Sequence, residues 1–160
     1  MINQYQNKSP RLLLAGTVLT LIILGFIVRP IRADDTAQAD PKTAAVAAMQ
    51  TWLQEIDQGQ YAQSWKDASA SFQKAITSDG WTAALNAART PCGECKGRKL
   101  ASALHQTEVP SPTGVQKGDF VIAQFDSSYE NLASALETVS FEKASDGTWK
   151  ASGYYIKPKP

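Results

Sequence analysis

Two cysteines, Cys92 and Cys95, stand in the stretch RTPCGECKGRK, residues 89 to 99, and the chain has no others. A Cys-x-x-Cys pair flanked by Arg89, Lys96, Arg98 and Lys99 suits thiol–disulfide exchange, because nearby cations favour the attacking thiolate. Exchange pairs, however, open a helix in a βαβ unit. This pair follows a helical pattern and leads into a strand pattern, so the helix dipole is missing or has the wrong sign. The favoured reading is a local disulfide that pins the turn in an oxidising compartment. Closing so small a loop stabilises by at most about 2 kcal/mol. Two further readings stand beside it, a redox-active pair and idle thiols. A zinc site needs four ligands. The single histidine, His105, leaves one incomplete outside a dimer.

Nothing else in the chain has the spacing of a known chemistry. His105 has no evident partner, and no Gly-x-Ser-x-Gly turn presents a nucleophile. There is no phosphate-cradling glycine loop and no His-Glu-x-x-His. We therefore expect no catalytic residues, no bound metal and no cofactor, which argues against the common enzyme classes.

The elements that must position these residues fall into two regimes. Asp40-Pro41 reads as an N-cap followed by proline at the first helical position. Val46, Met49, Trp52, Leu53 and Ile56 then form one apolar stripe that ends at Gly59. A second helix is expected from the spacing of Tyr61, Trp65, Ala68, Phe72 and Ile76. A third, capped by Ser78 or Asp79, carries Trp81, Ala84, Leu85 and Ala88 and stops at Pro91 and Gly93. The aromatic residues at this spacing are expected to be core. After the cysteines the period becomes two, with strands predicted at Arg98 to Val109, Asp119 to Ser128, Leu132 to Lys143 and Thr148 to Lys157. PSPTGVQKGD between the first two reads as a loop, and Asp146-Gly147 as a hairpin turn. Helices followed by antiparallel strands give an α+β domain with helices on one face of the sheet.

Ahead of that domain, Leu12 to Val28 is an uncharged apolar run of 17 residues. As a helix it would rise about 26 Å, close to a bilayer core of about 30 Å. It exceeds the apolar core of a usual signal peptide, which favours an uncleaved anchor over cleavage near Ala33 or Ala39. Residues 1–33 are thus a membrane anchor or signal segment, 34–40 a linker and 41–157 the domain. The domain is expected at the cell envelope, in the periplasm or outside the cell. The first 33 residues hold four of the 16 Lys and Arg and none of the 15 Asp and Glu. The rest is therefore slightly acidic and lacks the basic footprint of a nucleic-acid binder.

The stretches WLQEIDQGQYAQSW, residues 52 to 65, and ETVSFEKASDGTWKASGYYI, residues 137 to 156, resemble a bacterial exported family known as domain of unknown function 4019. The resemblance runs from Ala44 to Ile156. Its markers are Trp-Leu, Asp-x-Gly-x-Tyr-x-x-Ser-Trp, Phe72, Trp81, Arg89, Gly93 with Arg98, Glu137, and a closing Asp-Gly-x-Trp…Gly-Tyr. The family typically has an aliphatic residue where Cys92 stands, so the cysteine pair is a departure. The resemblance implies three helices packed on a curved four-stranded antiparallel sheet, of the cone-like cystatin or nuclear-transport-factor type, and no established activity. Folds of that type keep a cavity between helices and sheet, and Arg89 and Glu137 are the polar residues to seek at its mouth. Their plainer reading is a direct ion pair that fixes the third helix to the sheet. The expectation is a non-enzymatic module that binds a small ligand or an envelope protein. The alternative is a thiol–disulfide redox protein or sensor.

Overall fold

The computed structural model of the protein describes residues 40–111 and 114–159. The expected anchor or signal segment and nearly all of the linker lie outside the described residues. Among the described residues no helix is long and apolar enough to cross a membrane.

Helix α1 spans Pro41–Asp57. Asp40 caps it, its side chain accepting from the Lys42 N–H at 3.1 Å, and Pro41 takes the first turn as expected. Its buried stripe is Ala45, Met49, Trp52, Leu53 and Ile56, with Val46 packed at the margin. The chain leaves through Gly59, whose φ of 73° favours a residue without Cβ.

The single second helix expected from the sequence is two, α2 (Tyr61–Asp67) and α3 (Ala70–Ala75). Ala68 and Ser69 are extended between them. Ser69 spends its N–H on the Ala151 carbonyl at 2.8 Å, and its hydroxyl accepts from the Phe72 N–H at 3.2 Å to cap α3. The apolar spacing survived the break, which is why periodicity alone did not show it.

Helix α4 is Ser78–Arg89, capped by Thr77 rather than Ser78 or Asp79. Its buried positions are Trp81, Leu85 and Arg89, a spacing of four. Ala84 and Ala88, expected on that face, are exposed. A 3-10 turn, Thr90–Cys92, follows.

The sheet is an antiparallel meander in the order β1-β2-β3-β4, with β1 Cys95–Ser111, β2 Gly114–Tyr129, β3 Leu132–Lys143 and β4 Trp149–Pro158. Most of the loop expected at residues 110–119 is strand instead, with Pro110 and Ser111 in β1 and Gly114 to Asp119 in β2: Pro110 pairs with Val115 and Glu108 with Lys117. β1 is an edge strand, where proline is tolerated because only one side of the strand must donate. Three register shifts along β1 mark bulges that bend and twist it. Between β3 and β4, Gly147 takes a φ of 82°. Asp146 Oδ1 there accepts from the Thr148 N–H at 2.9 Å, completing the expected hairpin.

The helices pack on the sheet face that carries Val121, Ala123 and Phe125 of β2 and Val139 and Phe141 of β3. Trp52 and Trp81 stack with centroids 5.9 Å apart, and Phe72 meets Trp81 edge-on at 5.0 Å. Such pairs contribute about 0.5–1.5 kcal/mol each beyond area burial. Both indole N–H groups find Ser64: Trp52 donates to its carbonyl at 2.7 Å and Trp81 to its hydroxyl at 3.0 Å. The aromatic residues are core, as expected. They fill the centre of the space between helices and sheet, and a concavity of about 450 Å³ stays open at its margin, between Val46 and Ala47 of α1 and Leu100 and Ala103 of β1.

Candidate functional site

Where α1 and α4 end, four charged side chains meet. Asp57 comes from the last position of α1, Arg89 from the last position of α4, Arg98 from β1 and Glu137 from β3. Glu137 lies on the core-facing parity of β3 with Ala135, Val139 and Phe141, and is fully buried. Arg98 binds it with two donors, Nε to Oε2 at 2.5 Å and Nη2 to Oε1 at 3.2 Å. Ser127 Oγ donates to Oε2 at 2.5 Å and Tyr154 Oη to Oε1 at 2.7 Å. Arg98 also reaches Asp57, Nη1 to Oδ2 at 2.7 Å and Nη2 to Oδ1 at 3.1 Å. Arg89 Nη2 donates to the same Oδ1 at 2.5 Å.

The expected direct pair between Arg89 and Glu137 is therefore not formed. Arg98 stands between them in the network, binding both carboxylates, and Arg89 takes Asp57 alone. The four charges sum to zero. Arg89 is only 4 % exposed, and its Nε and Nη1 have no hydrogen-bond partner. Its Cζ lies 4.2 Å from the centroid of the Tyr129 ring, so an aromatic face takes part of the charge instead.

Burial alone would raise the Glu137 pKa, but the hydrogen bonds and charge of Arg98, with hydrogen bonds from neighbouring hydroxyls, hold the carboxyl down at about 2. Burial likewise opposes the charge on Arg98, and its bonds to Asp57 and Glu137 more than offset it, raising its pKa. Burial and the charge of Glu137 push the Tyr129 and Tyr154 phenols upward, which keeps them as donors. With four donor atoms of its own chain directed at it, the carboxylate is held in its charged form.

The cysteines sit beside this network as free thiols. Cys92 is buried and its sulfur donates to the Ala88 carbonyl at 3.3 Å; Cys95 is half-buried and points to the Gly97 carbonyl at 3.8 Å. The structure thus shows no disulfide across the turn. Three of the four cations expected to favour a thiolate are paired elsewhere. Arg89 and Arg98 serve Asp57 and Glu137, and Lys96 binds Glu94 at 2.5 Å. Burial raises the Cys95 pKa; Arg98 opposes the rise, while Asp57 and Glu137 add to it. The turn is already clamped by the backbone: Asn131 N–H donates to the Cys92 carbonyl at 2.8 Å and Glu130 N–H to that of Glu94 at 2.9 Å.

His105, for which the sequence offered no partner, has one in Asp119, Nε2 to Oδ1 at 3.0 Å across β1 and β2. Among the described residues no group of three or more His, Cys, Asp or Glu is placed to hold a metal ion.

Two concavities flank these features. A shallow groove of about 380 Å³ exposes Asp57 and Arg98 beside Gln54 and Cys95. A cavity of about 480 Å³ is lined by Ser71, Pro110, Phe120, Ile122, Ser140 and Glu142, among others. Ile122, Ser140 and Glu142 alternate along their strands with the core residues Val121, Val139 and Phe141, and Ser71, Phe72 and Ala75 of α3 close the cavity over them. Neither Arg89 nor Glu137 lines either concavity.

Sequence reasoning passed over Asp57, Ser127, Tyr129 and Tyr154 as site residues. Asp57, Arg98 and Tyr154 were nevertheless visible as family markers, and all three converge here with Arg89 and Glu137. A family model described as Protein of unknown function (DUF4019) matches residues 48–154, and the chain belongs to that family. No curated protein and no solved structure matches the chain.

Proposed function

We propose, with membership of the DUF4019 family as the premise, that this protein is a non-enzymatic binding module held on the outer side of the cytoplasmic membrane by its N-terminal segment. The observation that carries the reading is the closure of the charged cluster. Glu137 is fully buried and spends its acceptors on Arg98, Ser127 and Tyr154, and Asp57 is held by Arg89 and Arg98, so the cluster is committed to the fold. Open to a ligand are the cavity between α3 and the sheet, the groove beside Arg98 and the concavity between α1 and β1. The apolar run Leu12 to Val28 and the polar stretch after it support the envelope location.

The test is thermal unfolding of the full chain against amines, carboxylates, sugars and envelope peptides, with each compound followed by mass. A binding module gives a saturable rise in Tm with at least one compound and leaves it unchanged. Conversion of any compound would sink the reading. Protease added to spheroplasts should digest the domain, whereas protection would place it on the other side of the membrane.

The alternative, a thiol–disulfide protein using Cys92 and Cys95, is supported by their spacing. The upward shift of Cys95 and the burial of Cys92 work against it. Cys92→Ser or Cys95→Ser would trap mixed disulfides in the cell envelope if it held.

A further inference from the structure

The cavity between α3 and the sheet has a chemistry of its own. Glu142 is the one ionisable residue among those that line it. Its carboxylate accepts from Ser71 Oγ at 2.8 Å and from Gln116 Nε2 at 3.3 Å. A hydroxyl chain fixes the first of these bonds. Phe72 N–H donates to Ser69 Oγ, and Ser69 and Ser71 share a bond of 2.9 Å. Because Ser71 gives its hydrogen to Glu142, Ser69 donates to Ser71. Two of about four acceptor positions on a carboxylate are thus used.

Among the described residues no Lys, Arg or His lies within ion-pair distance of Glu142. Its cross-strand neighbour Lys150 instead acts electrostatically on Glu55. Around this unpaired carboxylate the walls are apolar, with Phe120, Ile122, Val109 and Pro110. A volume of about 480 Å³ falls within the usual range for small-molecule pockets.

We infer that this cavity binds a small organic cation, an ammonium or guanidinium head on an apolar body, with the head on Glu142 and the body against Phe120 and Ile122. The inference rests on the binding-module reading and gives it a site and a ligand class. Charge complementarity sets the preference. A cation gains a charge-assisted bond to Glu142 that a neutral head forms only weakly and an anion cannot form.

The test titrates the full chain with benzylammonium, benzyl alcohol and benzoate, which share a body and differ in head charge. Binding is read from backbone amide shifts. Benzylammonium should bind about tenfold tighter than benzyl alcohol, benzoate should not saturate, and the shifts should centre on Ile122, Ser140 and Glu142. Glu142→Gln should bring benzylammonium down to the level of the alcohol. Ser140→Phe, which fills the cavity and leaves Glu142 in place, should abolish binding of benzylammonium and benzyl alcohol and keeps the site testable if Glu142→Gln fails to fold. Equal affinity for the three probes, no saturation by any of them, or a cation preference that survives Glu142→Gln would overturn the inference. Saturable shifts centred on Asp57 and Arg98 would overturn this site yet leave the binding-module reading standing.

Discussion

Glu137 is fully buried and still charged because four donor groups converge on it from three other strands. Arg98 alone supplies two of them. Tyr154 supplies one across β3 and β4, so Tyr154→Phe keeps the ring against Trp52 and Trp81 and removes only the hydroxyl. A lost bond to a buried charge costs about 1–3 kcal/mol. Denaturant unfolding should show that loss with an unchanged slope. The thiols make a second prediction. Because burial raises the Cys95 pKa, iodoacetamide should alkylate Cys95 more slowly near neutral pH than an unhindered thiol. The rate should keep climbing with pH beyond the point where a free cysteine levels off. A rate at or above that of a free cysteine would restore the redox reading.

The elements that hold these residues were unevenly legible in the sequence. α1 and the β3–β4 hairpin followed from local chemistry, Asp40-Pro41 at one and Asp146-Gly147 at the other, and both stand where expected. The break between α2 and α3 depends on Ser69 meeting Ala151, 82 positions away in number, and no local pattern carries that. Ser69→Ala should remove the α3 cap at a cost of about 1 kcal/mol, read as a fall in unfolding midpoint. The charged site was legible residue by residue, since Asp57, Arg89, Arg98 and Glu137 stood among the family markers. Their pairing was not, because it depends on sheet register and on two helix ends meeting above β1. Gly93 closes the turn between α4 and β1 with a φ of 76°, and a Cβ there would lie 2.9 Å from Glu130 Cβ. Gly93→Ala should therefore destabilise by more than about 1 kcal/mol, checked by the same unfolding curves.

For the molecule as a whole, the charged cluster joins both helix ends to all four strands, an arrangement that contributes stability. Protonation should expose that role. The folded-state Glu137 carboxyl ionises at about 2 instead of the ordinary 4.5, so the unfolded chain binds more protons between those values. The stabilisation is fully present above about pH 5 and is lost as pH falls toward 2, a contribution of roughly 3 kcal/mol. The most direct test is the unfolding free energy of the full chain and of Glu137→Gln, followed through buried Trp52 and Trp81 from pH 7 to pH 2. A structural cluster predicts a loss of about 3–5 kcal/mol at pH 7 in the variant and a shallower acid slope than the parent. Functional sites tend to be maintained at a cost in stability. A Glu137→Gln chain as stable as the parent, or more stable, would therefore contradict the account and return this cluster to candidacy as an active site.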